Sequence, residues 1–439
     1  MKVQRDLFNW NITRALDWLF EVQDEDNFGW SWIRDISPNS QNTAEVVNVC
    51  SQLSDYLDSN QKALVSEAVE NWLLEPSING AIVIDYVWIM YSLIHFSEKY
   101  DDFAPSFAIE KVYLAAKECA DLIIGLQNED GGWGDNYGEP STSTRTALVV
   151  YCLKSYTMRL GSTSAYDNAI QKGASLLIST QNNDGGWGNQ PVQQVIKEFK
   201  GTKHVFSAKT ISEQYLSQAV STGYALMALG HISPHQYYDN IQRGVTYLRS
   251  IQNSDGSYDI FYEIGIRKDV IFTFRHLGTV WALNGLLRNT EISFSDDCIS
   301  KAIYYLIQLQ DDATGGWKCS PESDVYTWST ANALSILAKV LYICDNAFSL
   351  DLRNYVDDVL KSSIYKYAPE SAAADKNTPA SKPEVSLRKG KNRIVFLNLI
   401  IKILVLLTVL FISPASAFIV ELLILVDIIT LFIKGGFIE

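Results

Sequence analysis

Where chemistry-bearing side chains gather in this sequence, they suit proton transfer and apolar binding. Asp85, Asp324 and His276 stand at or near the starts of helical segments. A carboxyl group or imidazole shielded from water there has its pKa displaced and can act as acid or base. Around them lie Tyr86, Trp88, Tyr215, Phe272, Phe274, Trp281, Tyr326 and Trp328, whose ring faces hold apolar chains and stabilise cations. The cysteines Cys50, Cys119, Cys152, Cys298, Cys319 and Cys344 are widely spaced with no CxxC pair. Neither a disulfide framework nor a zinc site is expected, and no metal or cofactor is assigned.

The elements that must position these groups follow from an internal repeat. QNEDGGW (127–133), QNNDGGW (181–187), QNSDGSY (252–258), QDDATGGW (310–317) and QDEDNFGW (23–30) are versions of one motif. The starts at 127, 181, 252 and 310 are spaced by 54, 71 and 58 residues, and the gap from 23 to 127 is 104. That gap is close to two periods, so residues 64–99 form a sixth unit without the motif. Each unit predicts an outer helix, a break at the glycines and a second helix rich in small residues. The second helices are expected to begin near Thr43, Thr146, Ser221, Thr279 and Ser329, with hydroxyl caps on their exposed amides. Small residues let these helices crowd into an inner ring. The fold class expected is all-α, an (α/α)6 toroid of six helical hairpins. Closure is favoured over an open solenoid because the first and last units both carry the motif.

The C-terminal end differs in kind. Residues 394–412 and 415–433 are two apolar stretches of 19 residues separated only by Ser413 and Pro414, each long enough to cross a bilayer as a helix. They predict a two-helix transmembrane hairpin. Basic residues Arg388, Lys389, Lys391 and Arg393 precede it and Lys434 follows it, which puts the toroid and the C-terminus in the cytoplasm. Lys402, Glu421 and Asp427 lie inside the spans, where charges pair, line a wet path or contact another membrane protein. The expected domains are a toroid over 1–367, a flexible basic-ended linker over 368–393 and the hairpin over 394–433. The partners expected are membrane lipid, an apolar ligand and further copies of the chain through the hairpin. A net charge of −14, from 36 bases and 50 acids in 439 residues, excludes a nucleic-acid reader. Against that acidity, the insert 189–213 carries Lys197, Lys200, Lys203 and Lys209, a basic loop suited to a phosphate head group or an anionic leaflet.

The Gln-and-Trp repeats, together with GDNYGEPSTSTRTA (134–147), resemble those of squalene–hopene cyclases and related class II terpene cyclases. The six-hairpin plan is also similar to the catalytic subunit of protein prenyltransferases. The resemblance covers roughly residues 10–346. It implies an isoprenoid chain in an aromatic-lined cavity, with the Gln and Trp of the QW motif as scaffold. It implies an acid in a DxDD stretch ahead of Thr-Ala. The matching stretch here is Pro38-Asn39-Ser40-Gln41-Asn42-Thr43-Ala44-Glu45, with an amide at every acid position. Amides are far too weakly acidic to donate the proton. The prenyltransferase zinc pattern is poorly matched by Asp297-Cys298 and by Thr327 in the place of a histidine. Asp296-Asp297, Asp311-Asp312 and Asp357-Asp358 lack the third acid of DDxxD. Asp85 and Asp324 are therefore the expected substitute acids, with His276 beside them and the aromatic residues above as cavity lining. The function expected is a membrane-anchored cytoplasmic toroid that binds or transforms an isoprenoid lipid, as a divergent isomerase or lyase if active. The alternative is a sensor–effector, whose toroid binds a ligand or partner while the charged hairpin oligomerises and perturbs the membrane.

Overall fold

The computed structural model describes residues 2–34, 36–136, 138–189, 216–259, 261–263, 271–273, 275–288, 297–319 and 323–346. The chain divides into two units, Met1–Ala368 and Pro369–Glu439, and all described residues belong to the first. The expected spans with Lys402, Glu421 and Asp427, the linker, and residues 190–213 of the basic insert lie outside them. Among the described residues no helix is long and apolar enough to cross a membrane.

In chain order the hairpins are α1 (Lys2–Glu21) with α2 (Ser40–Gln52), then α3 (Ser59–Trp72) with the one-turn α4 (Pro76–Asn79) and α5 (Val83–Glu98). After the one-turn α6 (Tyr100–Phe103) come α7 (Ile109–Gly125) with α8 (Ser143–Leu160), and α9 (Ser164–Ser179) with α10 (Ala219–Ile232). The last two are α11 (Tyr238–Ile251) with α12 (Arg275–Arg288), and α13 (Asp297–Gln308) with α14 (Thr327–Asn346). Residues 64–99 do supply a motif-free hairpin. A short antiparallel pair, β1 (Phe261–Glu263) and β2 (Ile271–Thr273), opposes Tyr262 to Phe272 between α11 and α12. The all-helical reading did not include it. Its aromatic and β-branched residues suit a pleated strand.

The two helix sets differ as burial requires. Outer α7 buries one stripe, Val112, Ala115, Ala116, Cys119, Ala120 and Ile123, and leaves a polar face to water. Inner α10 is buried on every side from Ala219 to Gly230. Successive inner helices α2, α5, α8, α10, α12 and α14 pack on one another, and α14 packs back on α2 and α1. The ring is closed. Neighbours run parallel: Tyr91 meets Tyr151 while Glu98 meets Arg159 further along, and His276 meets Trp328 while Asn284 meets Lys339.

The motif supplies the circumferential bonds. Gln23 donates to the Phe28 carbonyl of its own turn, whereas the other motif glutamines donate once to their own turn and once to the next outer helix: Gln127 to Gly131 and Ala169, Gln181 to Gly185 and Asn240, Gln252 to Gly256 and Cys298. Gln310 donates to Gly315 and, at 2.8 Å, to the Asn11 carbonyl of α1, so the last motif holds the first helix. The indole N–H of Trp30, Trp133, Trp187 and Trp317 donates to Leu19, Ile123, Leu177 and Leu306 at the ends of the preceding outer helices. Scaffold is thus the observed role of the Gln and Trp side chains. Glycine is needed where the turn presses on the neighbour: at Gly256 (φ +89°) a Cβ would lie 2.2 Å from the Lys301 carbonyl oxygen.

The tightest contact of the inner ring is at Gly223 of α10, where a Cβ would come within 2.0 Å of the Trp281 carbonyl oxygen of α12. Backbone cannot yield as a side-chain tip does. Gly223→Ala is expected to lower stability by about 2 kcal/mol or more despite alanine's better helix propensity. A denaturant midpoint equal to the wild-type one would contradict that close approach.

Candidate functional site

In each of the five motif-bearing units one hydrogen bond sets the rotation of the inner helix. The backbone N–H of the motif aromatic donates to a threonine Oγ1 in the first turn of the helix that follows. The pairs are Trp30 with Thr43 (2.9 Å), Trp133 with Thr146 (3.1 Å), Trp187 with Thr222 (3.0 Å), Tyr258 with Thr279 (3.1 Å) and Trp317 with Thr330 (2.8 Å). The inner helices begin three or four residues before these threonines. The expected hydroxyl caps at Thr43 and Thr146 are accordingly corrected: Asn39 and Thr142 do the capping. The threonine hydroxyls are instead occupied by the adjoining turn.

With the threonine facing outward, residues two, five and nine positions later fall within about 40° of the opposite face at 3.6 residues per turn. That face looks onto the axis. The count yields Glu45, Leu148, Tyr224, Trp281 and Asn332 as one layer, then Asn48, Tyr151, Met227, Asn284 and Ser335, then Gln52, Ser155, His231, Arg288 and Lys339. In the motif-free α5, Trp88, Tyr91 and His95 have the same spacing and complete the three layers. A narrow axial cavity of about 20 Å³ is lined by Trp88, Tyr91, Leu148, Tyr151, Cys152, Met227, Trp281, Asn284, Asn332, Ser335 and Lys339, members of all three layers plus Cys152. Tyr224 stacks on Trp281 with centroids 3.8 Å apart.

Glu45 belongs to the layer nearest the helix N-termini. Its residue is 6% exposed because α2 is buried from Ser40 through Ser51. Gln41, one turn earlier, donates to Glu45 Oε1 at 2.8 Å, and Oε2 has no hydrogen-bond partner. Burial raises the carboxyl from 4.5 to about 7, against the opposing effects of the Gln41 bond and the Arg145 charge. Glu45 is a carboxylic acid held near the protonated state at neutral pH. The amides that replace the expected acids have structural tasks: Asn39 caps α2 by accepting from Asn42 N at 2.9 Å, and Gln41 serves Glu45.

At the other end, near the helix C-termini, the lining is cationic. Ser155 lies 2.9 Å from His231 Nε2, and Arg288 donates to His231 Nδ1. Since arginine only donates, Nδ1 is the acceptor and Nε2 carries the hydrogen. Burial, reinforced by Arg288, drives His231 down to about 3, so the imidazole stays neutral. Lys339 donates to Asn284 Oδ1, and burial together with Arg288 lowers it to about 8. Between the ends, the Tyr91 and Tyr151 hydroxyls lie 3.1 Å apart.

Of the residues expected from sequence, Trp88 and Trp281 line the cavity. Asp85 accepts from the Ala81 and Ile82 N–H groups at 2.8 and 3.1 Å at the entry to α5, and Tyr86 donates to the Gly80 carbonyl beside it. Asp324 is exposed ahead of α14. His276 is fully buried with its ring edge-on to Trp328 at 5.8 Å, and burial keeps it neutral, down to about 3. Tyr326 stacks on Trp328 at 6.1 Å. Phe272 sits in β2, opposite Tyr262. Tyr215 and Phe274 lie outside the described residues. Sequence reasoning passed over Glu45, Tyr91, Tyr151, Arg288 and Lys339. The offset from the motif threonine was the signal that would have found all but Tyr91, whose helix has no motif.

Residues 144–335, from the first turn of α8 into α14, match the family model described as the squalene–hopene cyclase C-terminal domain. The chain is 25% identical over 220 residues to a terpene cyclase/mutase of Nectria sp, covering 49% of this chain and 27% of that one. It is 30% identical over 167 residues to the squalene–hopene cyclase of Bradyrhizobium diazoefficiens, covering 36% and 22%. The chain spans about a quarter of the length of these curated relatives. Among solved structures, the GH76A alpha-1,6-mannanase of Salegentibacter sp. HEL1_6 superposes with a TM-score of 0.55 at 10% identity, covering 76% of this chain and 99% of that one. That likeness is one of fold alone.

Proposed function

We propose that this chain is a terpene cyclase-like toroid that holds an isoprenoid chain along its axis and protonates it from Glu45. The carrying observation is a buried carboxyl on the axial face, directly after Thr43-Ala44, with an unpartnered oxygen. So weak an acid suits an epoxide oxygen better than a simple alkene carbon, the oxygen being the stronger base. The carbocation that follows would rest against the faces of Trp88, Tyr91, Tyr151 and Trp281. A neighbouring carbon then gives up a proton, and the Glu45 carboxylate regains one directly or through solvent, so the composition is unchanged and the net reaction is an isomerisation. The match of residues 144–335 to the squalene–hopene cyclase C-terminal domain supports the substrate class.

The two apolar stretches 394–412 and 415–433 complete the proposal as a membrane anchor with Lys402 and Asp427 paired, toroid and C-terminus cytoplasmic. Tethering concentrates the protein where a water-insoluble substrate resides. The test is incubation of full-length protein in membranes with squalene, oxidosqualene and isoprenoid alcohols, followed by product analysis. Turnover lost in Glu45→Gln and retained in Asp85→Asn and Asp324→Asn is the expected result. The reverse pattern would return the role to the aspartates, and a co-purifying isoprenoid without turnover would make the toroid a binder.

A further inference from the structure

The C-terminal end of the axial lining holds two cations, Arg288 and Lys339, whose partners among the described residues are uncharged. Arg288 and Lys339 occupy equivalent positions on adjacent inner helices, nine residues after Thr279 and Thr330. Their partners are neutral, His231 for Arg288 and Asn284 for Lys339. Among the described residues neither has a carboxylate partner. The nearby acid, Glu98, is already engaged by Arg159 and His95. Arg159 and Lys154 also act on His231, so the local balance is positive in a chain of net charge −14.

A cation drawn from water without a counter-charge, as Lys339 is, is costly. The negative ends of the inner-helix dipoles offset part of that cost in the free protein. Lys339 and Asn284 line the cavity, while Arg288 is exposed and near enough to Lys339 for its charge to lower the lysine's pKa. An anion entering there would meet a bidentate-capable guanidinium and an ammonium at once.

We propose that Arg288 and Lys339, with Asn284, form a subsite for the anionic head group, carboxylate or phosphate, of a ligand whose apolar chain lies in the axial cavity. The apolar part of this inference rests on the isoprenoid reading above; the anionic part does not. Lys339 and the Glu45 layer are seven helical positions apart, about 10 Å at 1.5 Å per residue. A bound chain would therefore present to Glu45 a group about 10 Å from its charged end.

Calorimetric titration of full-length protein with an isoprenoid alcohol, carboxylic acid and monophosphate of equal carbon number tests this, with inorganic phosphate alongside. The acid or the phosphate is expected to bind at least about tenfold more tightly than the alcohol, since a charge-assisted bond contributes over 1.4 kcal/mol; whichever is tighter names the head group. Arg288→Gln and Lys339→Gln should erase the preference, read for each variant as the ratio of acid or phosphate affinity to alcohol affinity. Glutamine at 339 still offers a donor towards Asn284, and thermal melts of both variants verify the fold. Equal binding of all three, or a preference that survives both substitutions, overturns the subsite. Arg288-dependent binding of inorganic phosphate without binding of any chain would uphold the subsite and sink the isoprenoid reading.

Discussion

Glu45→Gln abolishes turnover and, at pH 8, yields a more stable protein than the wild type. Both results are expected from one feature, a carboxyl confined to the dry axial face of α2. General-acid donation contributes about 10³-fold, and an amide cannot replace it. The variant should therefore lose at least that factor in turnover while its near-ultraviolet circular dichroism is unchanged. In the wild type, the rate should fall as pH rises through about 7, because only the protonated carboxyl donates. The stability result follows from linkage. The folded carboxyl titrates at about 7 and the unfolded one at 4.5, so the folded state binds the extra proton between them. The resulting contribution is fully present below pH 4.5 and is lost as pH rises through 7. At pH 8 burying the ionised form costs about 3 kcal/mol, and glutamine avoids that cost. Thermal melts of both proteins at pH 5 and pH 8 check it: the melting points should be close at pH 5 and diverge at pH 8 in favour of the variant. A variant no more stable at pH 8 would place Glu45 in contact with water, and the acid assignment would fall with it.

Trp317→Ala should carry the largest stability loss of any single motif change. Trp317 is fully buried, its indole N–H donates to Leu306 at 2.7 Å and its backbone N–H holds Thr330. Large-to-small truncation at such a site costs about 3–5 kcal/mol, and the Leu306 carbonyl loses its partner as well. The position adds a second consequence. The turn that Trp317 anchors also presents Gln310 to α1, one of the bonds that join the last unit to the first, beside those from Arg14 to the Asp311 and Asp312 carbonyls. Hydrogen exchange in α1 and α14 should therefore accelerate more than in α5 and α8. The half-exposed Trp10 is the control, since surface changes cost about 0.5 kcal/mol or less. Equal losses for Trp317→Ala and Trp10→Ala would remove the brace from its structural role.

Much of the toroid was legible before any coordinates, for a local reason. Gln-x-x-Asp-Gly-Gly-Trp needs only its own few residues to end a helix, and the recurrence of that break counted the hairpins, including the motif-free one over 64–99. The scaffold role of Gln127, Gln181, Trp133 and Trp187 was equally accessible. The site was read less well. Asp85 was singled out for chemical type and position at a helix start, which is also where a carboxylate finds free backbone N–H groups. Trp88 and Trp281 were found because aromatic residues announce themselves. Glu45 carries no comparable signal in the sequence, since glutamate within a helix is ordinary on a surface.

The sequence by itself determined the unit count, the helical hairpin as the unit and the motif as brace. Those properties depend on residues close in the chain. Tertiary structure decided which inner-helix face meets the axis, through hydrogen bonds spanning 13 to 35 residues from motif aromatic to threonine. It decided closure, through a bond spanning 299 residues from Gln310 to Asn11. It also decided that Glu45 is dry and that Arg288 and Lys339 are adjacent, because solvent exclusion on α2 is produced by helices distant in sequence packing around it. A carboxyl group's acidity depends on what surrounds it, and here the surroundings are assembled only when the ring is complete.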